Sequence, residues 1–187
     1  MDRSTYHHGD LRAEILTEAA RLVAQRGADG VSLRELAREA GVSHAAPAHH
    51  FTDRRGLFTA LAAQGFGLLA TALAEARPRF LDAASAYVRF AIEHPGHYRV
   101  MFDKSLLDPL NPELVAAEAA AGDELARGVA SLPDQHAQAD PRGAQLAAWS
   151  LVHGFSMLWL NDAVNPELKA ADPMASVERI AMMLFEE

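Results

Sequence analysis

Cysteine is absent from this chain of 187 residues, which excludes disulfides, thiolate metal sites and cysteine nucleophiles together. Strand signal is nearly absent too, since apolar residues recur at helical spacing rather than in alternation. No glycine loop of the kind that cradles phosphate occurs. His94 and His97 form only an H-x-x-H pair and His49 and His50 are adjacent, so the i, i+4 histidines plus glutamate of a helical zinc site are missing. Gly154-Phe155-Ser156 begins like a nucleophile elbow, but Leu158 stands where glycine is required. The expectation is therefore no catalytic residue, no metal ligand and no cofactor. No apolar run approaches the roughly 20 residues of a membrane span, and the N-terminus lacks a charged-then-apolar signal. A cytoplasmic protein without a membrane partner is expected.

What is present suits a small two-part protein. Half the residues are hydrophobic, which argues against disorder, and the length allows one good core or two small domains. The net charge of −8 is unevenly spread. Residues 1–60 hold eight arginines and eight acidic residues, while the remainder holds nine basic and seventeen acidic residues and carries the whole excess. Five of the nine histidines, His7, His8, His44, His49 and His50, also fall in the first segment, where phosphates could charge them.

Residues 31–51, VSLRELAREAGVSHAAPAHHF, spell out two short helices with their end signals. Ser32 suits an N-cap, Glu35 can close a capping box, and Val31 can staple against Leu36. Leu33, Leu36, Ala37 and Ala40 give a helical stripe, Gly41 follows where a left-handed residue is needed, and Ser43 can cap again at once. Pro47 would then be the fourth residue of the second helix and distort its first turn. Two helices joined so tightly cross steeply, as in a helix-turn-helix whose second helix enters the major groove.

Helical patterns continue through the chain. Leu11, Ile15, Ala19, Leu22 and Val23 stripe a leading helix ended by Gly27. A longer pattern runs from about Asp53 to Ala76, another from Phe80 to Glu93, and an aromatic turn from Gly96 to Phe102. An alanine-rich helix spans Pro112 to about Ala130, a polar loop Pro133 to Pro141, and two last helices about 142–162 and 173–185. The predicted class is all-α: a three-helix helix-turn-helix domain over residues 1–54 and a helical ligand-binding and dimerisation domain over 55–187.

Residues Asp10 to Leu57 resemble the N-terminal domain of TetR-type transcriptional regulators: LRAEILTEAARLVAQRG, then SLRELAREAGVS, then the HHF ending, then Asp53 and Arg54. FAIEHPGHYRVMF and WSLVHGF resemble the ligand domain of a subgroup named for Trp149, His153 and Gly154. The resemblance implies a homodimeric repressor on a near-palindromic DNA operator, released by a small apolar or aromatic effector. It departs from the family at Ala48, where a DNA-contacting tyrosine is usual.

Candidate DNA contacts are Ser43, His44, Ala45, His49 and His50 on the recognition helix. Ser32 and Arg34 could touch the flanking backbone, and Arg54 and Arg55 open the next helix, with Arg54 matching the family's backbone-clamping lysine. The candidate pocket gathers Tyr87, Phe90, His94, Tyr98, Met101 and Phe102 against Trp149, His153 and Met157, apolar walls with few polar groups; taken one by one, aromatics at helical spacing are more often ordinary core. The helix at 142–162 is apolar on two stripes. The stripe of Ala148, Val152, Phe155 and Trp159, with Ile180, Met183 and Leu184, is assigned to the dimer interface that the family implies. The alternative is a helical small-molecule-binding protein with a weakened DNA reader.

Overall fold

The computed structural model describes residues 8–43, 45–77 and 79–185, with side chains described from residue 11. The described residues are helical throughout, with no strand among them. They pack as two units, Met1–Gly65 with His94–Ala116, and Phe66–Glu93 with Ala117–Glu187. The packing divides within α4 (Arg54–Glu75), after Gly65, rather than at the boundary expected between residues 54 and 55.

The first unit begins with α1 (His8–Arg26), a 3-10 turn (Ala28–Gly30), α2 (Leu33–Glu39), α3 (Ala45–Phe51) and α4 (Arg54–Glu75). The expected Ser32 cap and Gly41 end of α2 are realised, whereas the Glu35 carboxylate is drawn to arginines. The Ser32 hydroxyl accepts the Glu35 N–H at 3.2 Å, satisfying one of the free donors of the first turn. Glu35 turns its carboxylate to Arg26 and, at 3.7 Å, to Arg38. At the other end Val42 N–H bonds Ala37 O at 2.9 Å and Gly41 N–H bonds Arg38 O at 3.2 Å, with Gly41 at φ 66°. That pair of bonds is the Schellman motif, which needs a left-handed residue after the helix.

Helix α3 begins at Ala45, so Ser43 lies two residues before it and offers its carbonyl to the Ala46 N–H at 3.0 Å. The expected distortion at Pro47 does not follow. As the third helical residue Pro47 forfeits no intrahelical bond, because the first N–H groups of any helix have no carbonyl behind them; its ring is buried in the unit. Thr52 then takes φ 65°, uncommon for a β-branched residue, and Asp53 caps α4 by accepting the Gly56 N–H at 2.7 Å.

Two further segments complete this unit: α6 (Pro95–Met101) and the start of α7 (Pro112–Ala130). A Cβ on Gly96 would lie 1.9 Å from Ala20 O, so only glycine lets α6 approach α1 this closely. Arg99 donates to the carbonyls of Val23 and Ala24 at 3.3 and 2.8 Å, capping the end of α1. Ile15, Leu22, Leu36, Leu57, Leu61, Tyr98 and Met101 form the fully buried core.

The second unit holds the rest of α4 and α7 with α5 (Phe80–Glu93), α8 (Gln135–Ala139), α9 (Pro141–Leu160), α10 (Pro166–Lys169) and α11 (Pro173–Ala181). Its core joins Phe80 and Leu81 to Val129, Leu132, Ala137, Ala144 and Ala148, closed by Ala181 and Phe185. The polar loop expected before Pro141 contains α8, which Asp134 caps by accepting the His136 and Ala137 N–H groups at 2.7 and 2.9 Å. Leu132 and Ala137 anchor it in the core.

The expectation about apolar runs needs correcting. Helix α4, 22 residues long with a mean hydropathy of 1.6 over an 18-residue window, is long and apolar enough to cross a membrane by length and composition. Alanine, glycine and threonine between its larger residues hide this from a count of bulky side chains. Half of it is buried within the fold, as a core helix would be.

Candidate functional site

The face of α3 that remains exposed is small and uncharged by acids. Ala45, Ala48 and His49 are exposed and His50 is half-buried, while Pro47 and Phe51 face the core. His44 lies outside the described residues, as do His7 and the side chain of His8. Ser32, Arg34 and Ser43 are exposed near this face. No lysine occurs in residues 1–60, so arginines carry whatever fixed positive charge reaches a phosphate.

Two of those arginines are engaged elsewhere. Arg54 donates from Nε to Val31 O at 3.1 Å and from Nη2 to Ala28 O at 2.8 Å, pairs with Asp29 at 3.5 Å, and lies 4.7 Å over the Phe58 ring. It ties the 3-10 turn and the entry to α2 onto α4. Arg55 donates from Nε to Leu107 O at 2.9 Å, beside Thr59, whose hydroxyl accepts the Asp108 N–H at 2.9 Å. Both are expected from the sequence as DNA contacts, Arg54 as a backbone clamp; the structure gives each a structural role as well, because the guanidinium N–H groups that meet these carbonyls are spent inside the fold. The sequence signal was a cation at the right place; only the packing shows what it bonds.

The nine residues expected to form the pocket divide between the units. In the first, Tyr98 and Met101 are core, Tyr98 and Phe102 meet ring to ring at 5.3 Å, and His94 and His97 at 5.7 Å. His97, on α6 and absent from the sequence-based candidates, is buried and bonds Gln64 Oε1 at 3.0 Å. Burial, and then the neighbouring His94, push its imidazole down to about 4.

In the second unit Tyr87 Oη meets His153 Nδ1 at 3.2 Å, and Trp149 lies 5.8 Å from the His153 ring. Burial lowers the His153 pKa below the usual histidine value, so the neutral ring prevails at neutral pH. Phe90 is core, whereas Trp149 and Met157 reach solvent, 40% and 43% exposed. The crevice that does form here lies elsewhere on the same helices: Leu73 of α4, Phe80, Ala83, Ala84 and Tyr87 of α5, Leu125 and Gly128 of α7, and Ala148 and Val152 of α9. Its enclosed volume of about 10 Å³ is room for one water. Of the expected set only Tyr87 lines it; Gly128 inside an alanine-rich helix was the signal to follow.

The stripe of α9 assigned to a dimer interface is also corrected. Ala148, Val152, Phe155 and Trp159 are buried inside their own unit. Phe155 stacks on Trp159, and Lys169 covers that indole at 4.6 Å while bonding its carbonyl at 2.7 Å. The apolar face left in solvent is Leu146, Trp149, Met157 and Leu158, the first 59% and the last 51% exposed. Met183 and Leu184, just beyond α11, are exposed as well, at 75% and 56%, and Ile180 is half-buried. Two apolar stripes were legible in the sequence, but which one faces inward depends on helix rotation, which spacing alone leaves open.

A capped helix-turn-helix on a helical support defines a DNA-reading protein. Residues 15–61 match the model for bacterial regulatory proteins of the tetR family, and residues 80–184 match the tetracyclin repressor-like C-terminal domain. The chain therefore belongs to the TetR family of transcriptional regulators, a family of regulators rather than enzymes. It is 29% identical to the uncharacterized HTH-type transcriptional regulator YobS of Bacillus subtilis over 162 residues, 82% of this chain and 81% of that one. It is 41% identical to the HTH-type transcriptional repressor AcnR of Corynebacterium diphtheriae over 64 residues, about a third of either protein. A solved structure of a protein of unknown function from Rhodococcus sp. RHA1 shares 36% identity and a TM-score of 0.74, covering 98% of this chain and 97% of that one.

Proposed function

We propose that this regulator is a homodimeric repressor that holds a near-palindromic operator and releases it when a small apolar molecule binds the second unit. The observation that carries this reading is a complete helix-turn-helix in the first unit together with an exposed apolar face on α9 of the second. A single α3 of seven residues offers few contacts, so two half-sites are needed for useful affinity. Ala45 and His49 are the base-reading side chains, Ala45 against thymine methyls and His49 at base edges. His50, Ser43, Ser32 and Arg34 flank them on the sugar-phosphate backbone, and His44 belongs to the same group by position.

Leu146, Trp149, Met157, Leu158, Met183 and Leu184 form the dimer face, with Ile180 at its rim. Large exposed apolar patches on a water-facing helix mark association sites. The boundary at residues 54 and 55 separates the reading role from the sensing and pairing roles. Release follows as a population shift: the effector prefers a conformer in which the two recognition helices are wrongly spaced for successive major grooves. The protein acts where its operator is, in the cytoplasm.

Leu158→Arg tests the reading. Sedimentation should find a monomer where the parent chain is a dimer, and affinity for a two-half-site duplex should fall at least about 100-fold, since the second half-site no longer binds within one complex. A dimer that persists, or operator binding that survives in the monomer, overturns it.

A further inference from the structure

We propose that Arg12 is a phosphate contact of the reader and that Glu113, in the first turn of α7, competes with DNA for it. The pair lowers affinity for every duplex and leaves discrimination to α3. This rests on the DNA-reading part of the function proposed above and adds two residues that the sequence-based candidates omit.

Fixed positive charge is scarce in the first unit once its partners are followed. No lysine occurs in residues 1–60, and most arginines of the unit are committed inside it. Arg21 holds Glu18 at 2.5 Å, Arg26 holds Glu35, and Arg38 holds Glu39 at 3.3 Å. Arg54, Arg55 and Arg99 donate to main-chain carbonyls. Among the described arginines of this unit that leaves Arg34 and Arg12. A duplex of any sequence is held mainly through its phosphates, so these two side chains weigh heavily in affinity.

Arg12 is placed at the recognition helix itself. Its guanidinium lies 5.6 Å over the ring of Phe51, the last residue of α3. The Phe51 ring adjoins that of His50 at 6.1 Å, and His50 adjoins His49 at 5.7 Å. Phe51 is buried and fixed, whereas the Arg12 side chain keeps 44% exposure. A cation held over an aromatic face keeps its charge, and the donors of a guanidinium lie at its edges.

Glu113 supplies the opposing charge. Arg12 Nη2 stands 3.5 Å from Glu113 Oε2, and the glutamate side chain is 72% exposed. That is longer than the ~2.8 Å of a close guanidinium–carboxylate bond, and water reaches both ends, so the pair holds weakly. Phosphate oxygens offer a guanidinium the same planar fork of acceptors that a carboxylate does. Yet Glu113 cannot drift away. Leu114 beside it is buried, and Asn111 Oδ1 caps the turn by accepting the Leu114 N–H at 3.0 Å. A phosphate that takes Arg12 must therefore displace a carboxylate that stays close by. The cost is the same for every sequence, because phosphate contacts carry no base information.

The test uses the full chain and a random-sequence duplex of about 20 base pairs, titrated at about 50 and 200 mM salt. Glu113→Gln should tighten binding at least about threefold at the lower salt, and Arg12→Gln should weaken it by a similar factor or more. Arg12→Gln should also reduce the slope of log affinity against log salt by about 1 per chain, whereas Arg12→Lys, which keeps the charge, should preserve that slope. With Arg12→Gln in place, Glu113→Gln should give no gain. Melting temperatures should match the parent, since both side chains reach solvent. A gain from Glu113→Gln of equal size in both backgrounds would mean simple repulsion of DNA by the carboxylate. An unchanged salt slope in Arg12→Gln would mean that Arg12 meets no phosphate. Either result overturns the proposal while duplex binding by the parent upholds the reader; no binding by the parent at either salt overturns both.

Discussion

In the unit that carries the helix-turn-helix, backbone meets backbone. A Cβ on Gly96 would stand 1.9 Å from Ala20 O, and one on Gly56 2.0 Å from Phe51 O. Arginines there cap and staple: Arg54, Arg55 and Arg99 all donate to main-chain carbonyls. In the other unit glycine does the opposite, since Gly128 is buried with nothing above it, and bulky apolar residues remain in solvent along α9. The difference teaches where each unit can yield. On the proposed function the reader holds its recognition helix at a fixed angle through close, over-determined contacts, and the slack in the other unit's core suits a sensor that has to change.

The largest effect expected from breaking this contrast is at Gly96. Gly96→Ala drives a methyl into the Ala20 carbonyl and should cost at least about 3 kcal/mol in urea unfolding, whereas Gly128→Ala should stabilise. Equal effects at both positions would remove the distinction. Next comes pH. The folded His97 pKa is depressed to about 4, so the unfolded chain binds the proton first, and stability present above about pH 6.5 is lost as pH falls toward 4. The loss attributable to this residue is at most about 3 kcal/mol, and His153 adds to it with the same sign. His97→Gln should flatten the stability profile over that window; an unchanged profile would mean that His97 is not the group responsible.

Arg54→Ala should destabilise the free protein by about 2 kcal/mol, because two carbonyls lose their donor. Were Arg54 a phosphate contact alone, its removal would weaken DNA binding and leave unfolding unchanged. The smallest structural effect is expected at His49, which is exposed. His49→Ala should leave Tm unchanged while weakening operator binding by about 1 to 3 kcal/mol. Equal weakening on random duplex would reassign His49 to the DNA backbone.

Much of the reader was legible in the sequence because its signals are local. Ser32, Gly41 and the spacing of Leu33, Leu36 and Ala37 specify α2 without reference to anything distant. The start of α3 is expected one residue before Ala45, since Ser43 is a good cap by type and only the fold shows where the helix begins. The roles of Arg54 and Arg55 were not legible. Their partners, Ala28 O, Val31 O and Leu107 O, are 23 to 52 residues away and are main-chain atoms that carry no sequence mark. In the sensor, two apolar stripes on α9 were visible, but burial of one depends on Lys169 and α10 closing over Trp159. The crevice was invisible for a related reason: its small lining residues, Ala83, Ala84, Gly128 and Ala148, come from three helices, and small residues leave little pattern.

The most direct test of a dimeric sequence reader is selection of the purified protein on random duplex DNA at two salt concentrations, followed by sequencing. Enrichment of a palindrome whose half-sites lie one helical turn apart, with affinity falling steeply as salt rises, is the expected result. Salt-sensitive binding without enrichment, or no binding at either salt, would contradict it.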